Sequence, residues 1–553
     1  MSVAAEPAGR RRRRGSPWSA AALICGGLIV APILGVLAAL FAESEGTWRH
    51  IVETVLPVYL ANTLALALMV GAGAGAVGVG AAWLVTMCRF PGRGVFEWAL
   101  ALPLAFPGYV IAYAYTYMLD HPGPVQSGLR ALFGWGPRDY WFPEIRSVEG
   151  AGLMLTLVLY PYVYLLARAA FLHQSATALD VARTLGLGPW GAFRRVALPM
   201  ARPAVATGVA LALMETLADF GTVAHFGVQT FATGVYRAWF AMGDRIAAAQ
   251  LSACLLIFVL ALVAIERAQR RAARYHPTGG FSALRAFPLS GWKAAGAALL
   301  CGLPVTFGFL LPLAMLLEMS LSAGHALFGP RYLGFALNTL ILAAVAATAT
   351  VALAVLLAYA ERLAPGPATR LANRLAASGY AVPGGVIAVG LLIPLAAFDN
   401  ALDAWARETL GVSTGLLLTG SIAALVFAYV VRFMAVALQT VEAGFGKITP
   451  NMDHAARALG ETAGGALRRV HAPILSGAML TAGLIVFVDV MKELPATLIM
   501  RPFDFDTLAV QAYRLASDER LTQASTPALT IVAAGLIPVL LLSARIRRSR
   551  PGS

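Results

Sequence analysis

The sequence predicts an all-α membrane protein with twelve transmembrane helices arranged as two parallel six-helix repeats. Three observations carry this expectation. Of the 553 residues, 59% are hydrophobic and only 13% are charged, against about 25% charged in soluble domains. Twelve apolar stretches are long enough, or nearly so, to cross a bilayer core, which takes about 20 residues as helix. The chain also matches itself, without a gap, at a separation of 274 residues.

Taken in order, the stretches run over approximately 19–41, 60–87, 97–118, 150–172, 200–222, 247–265, 294–318, 337–359, 378–397, 414–438, 474–490 and 526–544. The loops between them are too short for a catalytic domain of ordinary size. Charge gives the topology a direction. With the N-terminus in the cytoplasm, 28 Lys and Arg fall on the cytoplasmic side, 12 on the far side and two, Arg168 and Arg432, at span ends, whereas Asp and Glu divide 8 to 20. Such a bias places both termini in the cytoplasm, because Lys and Arg resist translocation. The run Arg10–Arg14 and the pI near 10 therefore report membrane orientation, and no nucleic-acid partner is expected. The apolar stretch that follows the run is too long for a signal-peptide core and lacks a clear small-residue cleavage site. Cys25, Cys88, Cys254 and Cys301 show no CxxC spacing, so neither a disulfide framework nor a metal cluster is expected.

The repeat is densest between the fourth and fifth stretches of each half. Residues 180–199 read DVARTLGLGPWGAFRRVALP and 454–473 read HAARALGETAGGALRRVHAP, with ten of twenty positions identical. Further upstream, at a separation of 276, Asn62-Thr63-Leu64 matches Asn338-Thr339-Leu340, and Pro107-Gly108 matches Pro383-Gly384. Duplication is the economical reading. It divides the chain into a basic N-terminus with the first helix (1–56), a first repeat domain (57–265), a basic linker with the seventh helix (266–332), a second repeat domain (333–543) and a basic tail (544–553). An even number of spans per half makes the repeat parallel rather than inverted. Within the block, Ala182 and Ala456 allow close approach of another backbone. Gly186 and Gly460 permit the turn that ends a short helix. Pro199 and Pro473 suit the first turn of the next span, where the missing N–H costs nothing.

This block resembles the EAA loop of ABC importer permeases, whose pattern is E-A-A-x-x-x-G with an I-x-L-P-like ending. The chain departs from it at the first position: Asp180 is a shortened carboxylate, and His454 loses the fixed charge, with Asp453 one residue earlier. Segments Glu215–Thr222, Phe231–Arg237, Asp489–Thr497 and Arg501–Ala509 narrow the resemblance to the fused permeases of ferric-iron ABC importers, over residues 57–265 and 333–543. The resemblance implies the type I ABC importer permease fold. It also implies that Asp180, Ala182, Gly186, Pro199, His454, Ala456, Gly460 and Pro473 belong to two ATPase-coupling loops, and that a substrate-loaded periplasmic ferric-iron-binding protein docks on the outer side. Two copies of a cytoplasmic ABC ATPase subunit are the expected partners. Thiamine, phosphonate and polyamine permeases share the architecture and stand as alternative cargo classes.

No Walker A sequence occurs, since Gly446-Lys447 is followed by Ile448; no cofactor is expected in this chain, and ATP belongs to the partner subunit. The repeat sets Glu215 against Asp489 and Asp219 against Glu493, each pair four apart and so on one helix face. Ionisable groups near a membrane usually face a cavity or a partner. The functional reading is that Glu215, Asp219, Asp489, Lys492 and Glu493 line the translocation path. The structural one is that Lys492 pairs with an acid or that the acids cap helices. His121 and His225 read as hydrogen-bonded structural groups, and no metal ligands are assigned. A proton-coupled transporter of twelve helices, using Glu215 and Asp489 as proton sites, is the alternative from another class. The position of the cytoplasmic repeat speaks against it. The expected location is the bacterial cytoplasmic (inner) membrane.

Overall fold

A computed structural model describes residues 17–44, 46–172, 184, 186–272, 286–322 and 329–548. Among the described residues, eleven helices are long and apolar enough to cross a membrane. They are Pro17–Phe41, Leu56–Met87, Val148–Leu172, Pro189–Ala218, Arg245–Gln269, Gly291–Ser322, Pro330–Leu363, Gly384–Leu410, Ile422–Phe445, Ala463–Met491 and Leu521–Leu541. A bent pair, Arg93–Ala105 with Gly108–Phe133, brings the number to twelve when it is counted as one span.

That pair replaces the single third stretch expected over 97–118 with two helices. The two pieces meet at 92°. The reason lies in Pro107, which has no N–H to give and disfavours helical backbone in the residue before it. Phe106 and Pro107 are both extended, at ψ 126° and 146°. In the second half Pro383 is likewise extended (ψ 141°), so the ninth span starts at Gly384 and runs on to Leu410.

The described residues gather into two compact units, each built from separate stretches of chain. One lies within 1–31, 347–380 and 429–486, the other within 32–346, 381–428 and 487–553. Their boundaries cut across the two halves of the sequence repeat. In the first unit Trp18 meets Tyr359 edge to face at 5.7 Å, and Tyr359 stacks on Phe445 at 6.2 Å. The core of the second is a packed trio, Leu56–Met87, Val148–Leu172 and Leu198–Ala218. Small residues let these backbones touch. A Cβ on Gly78 would sit 2.7 Å from Val163 Cβ and 2.8 Å from the Tyr160 carbonyl, and one on Gly208 would sit 2.7 Å from Val163 Cα.

Two of the chain's irregular turns fall at matched places. Phe193–Ala197 and Leu467–His471 are single π-helical turns, 274 residues apart, and each feeds directly into a long helix. Such turns hold one residue more than an α turn and concentrate at functional positions.

Candidate coupling loops and the paired acids

The loop predicted to matter in the second half is a helix–turn–helix. Pro450–Ala458 ends at Gly460, whose φ is +82°. The Gly460 N–H donates to the Arg457 carbonyl and the Glu461 N–H to that of Ala456, both at 3.0 Å. This is the Schellman arrangement that a left-handed glycine allows. Ala456 is buried, while His454 is exposed. Thr462 then caps the short helix Ala463–Ala466 by accepting from the Gly465 N–H at 3.1 Å. The π turn follows with Arg468 and Arg469, and Pro473 stands in the first turn of Ala472–Met491.

In the first half, Asp180 and Ala182 lie outside the described residues. Gly186 takes the matching left-handed conformation, φ +75°. The short helix Pro189–Ala192, the π turn and Pro199 then follow in the same order. Trp190 is 65% exposed, with the Arg194 guanidinium 5.8 Å from its ring centre.

The acids behave as two matched capping sites. Asp219 ends the helix Leu198–Ala218, and its carboxylate accepts from the Thr222 and Val223 N–H groups (3.1 and 3.2 Å) and the Thr222 hydroxyl (2.9 Å). Glu493 accepts from the Ala496 and Thr497 N–H groups (2.9 and 3.2 Å) and the Thr497 hydroxyl (2.9 Å). Each carboxylate thus sits at the positive N-terminal end of a short helix, Gly221–His225 or Pro495–Met500. Lys492 Nζ contacts Asp489 Oδ1 at 2.9 Å, both side chains being partly exposed. Glu215, one turn before Asp219, is partly exposed too.

Tyr109 joins these two caps, a role with no sequence signal beyond its place after Pro107-Gly108. Its side chain packs against Gly221, where a Cβ would come within 2.6 Å of the Tyr109 Cβ and 3.0 Å of its ring, and its hydroxyl donates to the Lys492 carbonyl at 3.4 Å. Tyr236 stacks on Phe220 at 3.7 Å and donates to the Pro495 carbonyl. The Asn-Thr matches also acquire a task. Asn62 Nδ2 donates to the Gln229 carbonyl (2.9 Å), and Asn338 Nδ2 to that of Asp506 (3.1 Å). Thr63 Oγ1 accepts from the Phe231 N–H, and Thr339 Oγ1 from that of Leu508. In each half, one helix is thereby tied to the segment beyond the capping acid. His225 Nε2 lies 3.1 Å from Thr116 Oγ1, and His121 Nε2 3.4 Å from the Pro137 carbonyl.

A chain of apolar crossing helices, with loops repeated at matched positions, defines a membrane permease. Residues 74–275 match the family described as binding-protein-dependent transport system inner membrane component. The chain is 26% identical over 496 residues to the Fe(3+)-transport system permease protein FbpB 2 of Haemophilus influenzae, covering 87% of this chain and 89% of that protein. It is 31% identical over 167 residues to the molybdenum transport system permease protein ModB of Azotobacter vinelandii, covering 30% of this chain and 70% of that one. To the putative ferric transport system permease protein FbpB 1 of H. influenzae it is 23% identical over 502 residues, covering 85% of this chain and 75% of that one. This chain belongs to the family of binding-protein-dependent inner-membrane permeases.

Proposed function

We propose that this permease carries ferric iron inward across the cytoplasmic membrane, energised by two copies of a separate ABC ATPase and supplied by a periplasmic iron-binding protein. The observation that carries the proposal is the coupling loop present twice, in a chain similar along most of its length to permeases named for ferric transport. In this reading both termini are cytoplasmic, as the Lys and Arg bias requires. The loops 180–199 and 454–473 receive the ATPase subunits, and the two halves, 57–265 and 333–543, rock between discrete packed states. Glu215, Asp219, Asp489, Lys492 and Glu493 border the path, where carboxylates attract a hard cation that prefers oxygen donors. Charge reversal at Asp219 or Glu493 is expected to depress uptake in a normally assembled chain; untouched uptake removes these two from the path. Because the coupling loops differ, Gly186→Glu and Gly460→Glu are expected to lower transport unequally, and equal losses argue against that asymmetry.

The test is uptake of radiolabelled ferric iron in iron-starved cells with and without the gene, repeated after ATP depletion with the proton gradient maintained. Uptake that needs both gene and ATP is the expected result. Gene-dependent uptake that survives ATP loss overturns the ATP-driven reading. The likeness to molybdenum permeases favours one second reading, an oxyanion cargo, and gene-dependent molybdate uptake without iron uptake would select it.

A further inference from the structure

Taking 454–473 as an ATPase-coupling loop, as proposed above, we infer that Asp453, Arg362 and His471 form an internal clamp. It ties the second coupling helix to the ends of two membrane helices, so that the loop's acid is engaged by the permease itself. These three are positioning residues. They pass displacement of Pro450–Ala458 to Pro330–Leu363 and Ala472–Met491.

The geometry builds the clamp atom by atom. Arg362, one residue from the end of Pro330–Leu363, sets Nε and Nη2 on the same oxygen, Asp453 Oδ2, at 2.9 and 2.8 Å. Nη2 also donates to the Ile448 carbonyl at 2.8 Å, just ahead of the coupling helix. The other oxygen, Oδ1, faces His471 Nε2 at 2.7 Å. That approach has ion-pair distance without hydrogen-bond alignment, and Nδ1 has no partner among the described residues. The tautomer with the proton on Nε2 suits the site, because it leaves Nδ1 as a bare lone pair rather than a buried, unanswered donor. The His471 side chain is 1% exposed, held between the rings of Tyr359 (5.3 Å) and Phe445 (6.1 Å). Tyr359 extends the hold by donating to the Ala463 carbonyl at 2.7 Å.

Both carboxylate oxygens of Asp453 therefore point into this unit. His454, its neighbour at the motif position, is exposed and carries no fixed charge. At the repeat separation of 274, Leu179 corresponds to Asp453 and Ala197 to His471. Arg362, in the stretch that matches at a separation of 276, corresponds to Thr86, so the first half lacks all three clamp residues and keeps its acid, Asp180, at the motif position. An ion pair mostly removed from water fails badly when one partner goes, since the other is left uncompensated, so the clamp transmits force as a stiff link.

The test uses the full chain. In the purified protein, Asp453→Asn is expected to speed amide hydrogen exchange over residues 450–466 about tenfold, the loss of one charge-assisted contact. The exchanged pair Arg362→Asp with Asp453→Arg is expected to slow it again. In cells, Asp453→Asn is expected to lower maximal uptake of ferric iron about tenfold at unchanged half-saturating concentration and unchanged membrane level, with partial recovery in the exchanged pair. Unchanged exchange overturns the clamp. Faster exchange with undiminished maximal uptake overturns its part in coupling. A wild-type chain that takes up no iron overturns the cargo reading alone, because the exchange measurement needs no cargo.

Discussion

Glu493 is buried at 5% exposure, and two N–H groups and one hydroxyl depend on its carboxylate. Glu493→Ala leaves the Ala496 and Thr497 N–H groups without that acceptor, while the Thr497 hydroxyl keeps the Glu493 main-chain carbonyl at 2.8 Å. At a cost of about 1–3 kcal/mol, it is expected to lower the melting temperature of the purified chain clearly. Asp219→Asn keeps one acceptor oxygen for the Thr222 and Val223 N–H groups, so its melting temperature is expected to fall less. A larger loss for Asp219→Asn than for Glu493→Ala would contradict the capping account. The sequence shows these acids as a matched pair, because their spacing repeats. It does not show their hydrogen bonds, since those depend on where the chain turns after each helix. Tyr109 is less legible still. Its partner, the Lys492 carbonyl, is 383 residues away, and the periodicity of either segment carries no trace of the contact.

At the level of elements, hydropathy located the crossing helices because a bilayer imposes one length and one composition on each. Bends are set by single residues within that uniform signal, so the third crossing looks straight until Pro107 is weighed. Packing among the helices rests on absent side chains. Val163 receives both Gly78 and Gly208 at distances that leave no room for a methyl group. Gly208→Val is expected to cost about 1–3 kcal/mol through overpacking, seen as a lowered melting temperature. Gly296→Val, on Gly291–Val305, has open space around its Cβ and is expected to change little by comparison. Equal effects from the two would show that helix propensity, not close approach, explains the glycines.

For the whole molecule, pH dependence offers a test away from the crossing helices. Arg146 binds Glu519 through two hydrogen bonds of 2.7 and 2.8 Å and Asp120 at 3.1 Å. Its guanidinium holds the Glu519 carboxyl below the ordinary glutamate range. Burial, with the nearby Arg146 charge adding to it, pushes His225 down from 6.5 to about 4. Both shifts act in one direction. A depressed histidine contributes fully above 6.5 and loses its contribution as pH falls toward 4, and a depressed carboxylate likewise loses its contribution on acidification. The melting temperature of the purified chain is therefore expected to fall between pH 7 and pH 4, with a shallower fall for His225→Ala. A profile unaltered by that substitution would remove His225 as the cause. The twofold plan of the molecule was legible early, because identical residues at separations of 274 and 276 need no structure to be counted. His471 was missed for the same reason: it falls inside the repeated block at a position where the two copies differ.

The matched π turns bear on history. An α helix acquires such a turn when one residue is inserted and the surrounding contacts do not yield. Its presence at Phe193–Ala197 and again at Leu467–His471 is what duplication of a segment already holding the turn leaves behind. The differences between the two loops, Asp453 and His471 among them, mark where the two copies no longer carry the same residues.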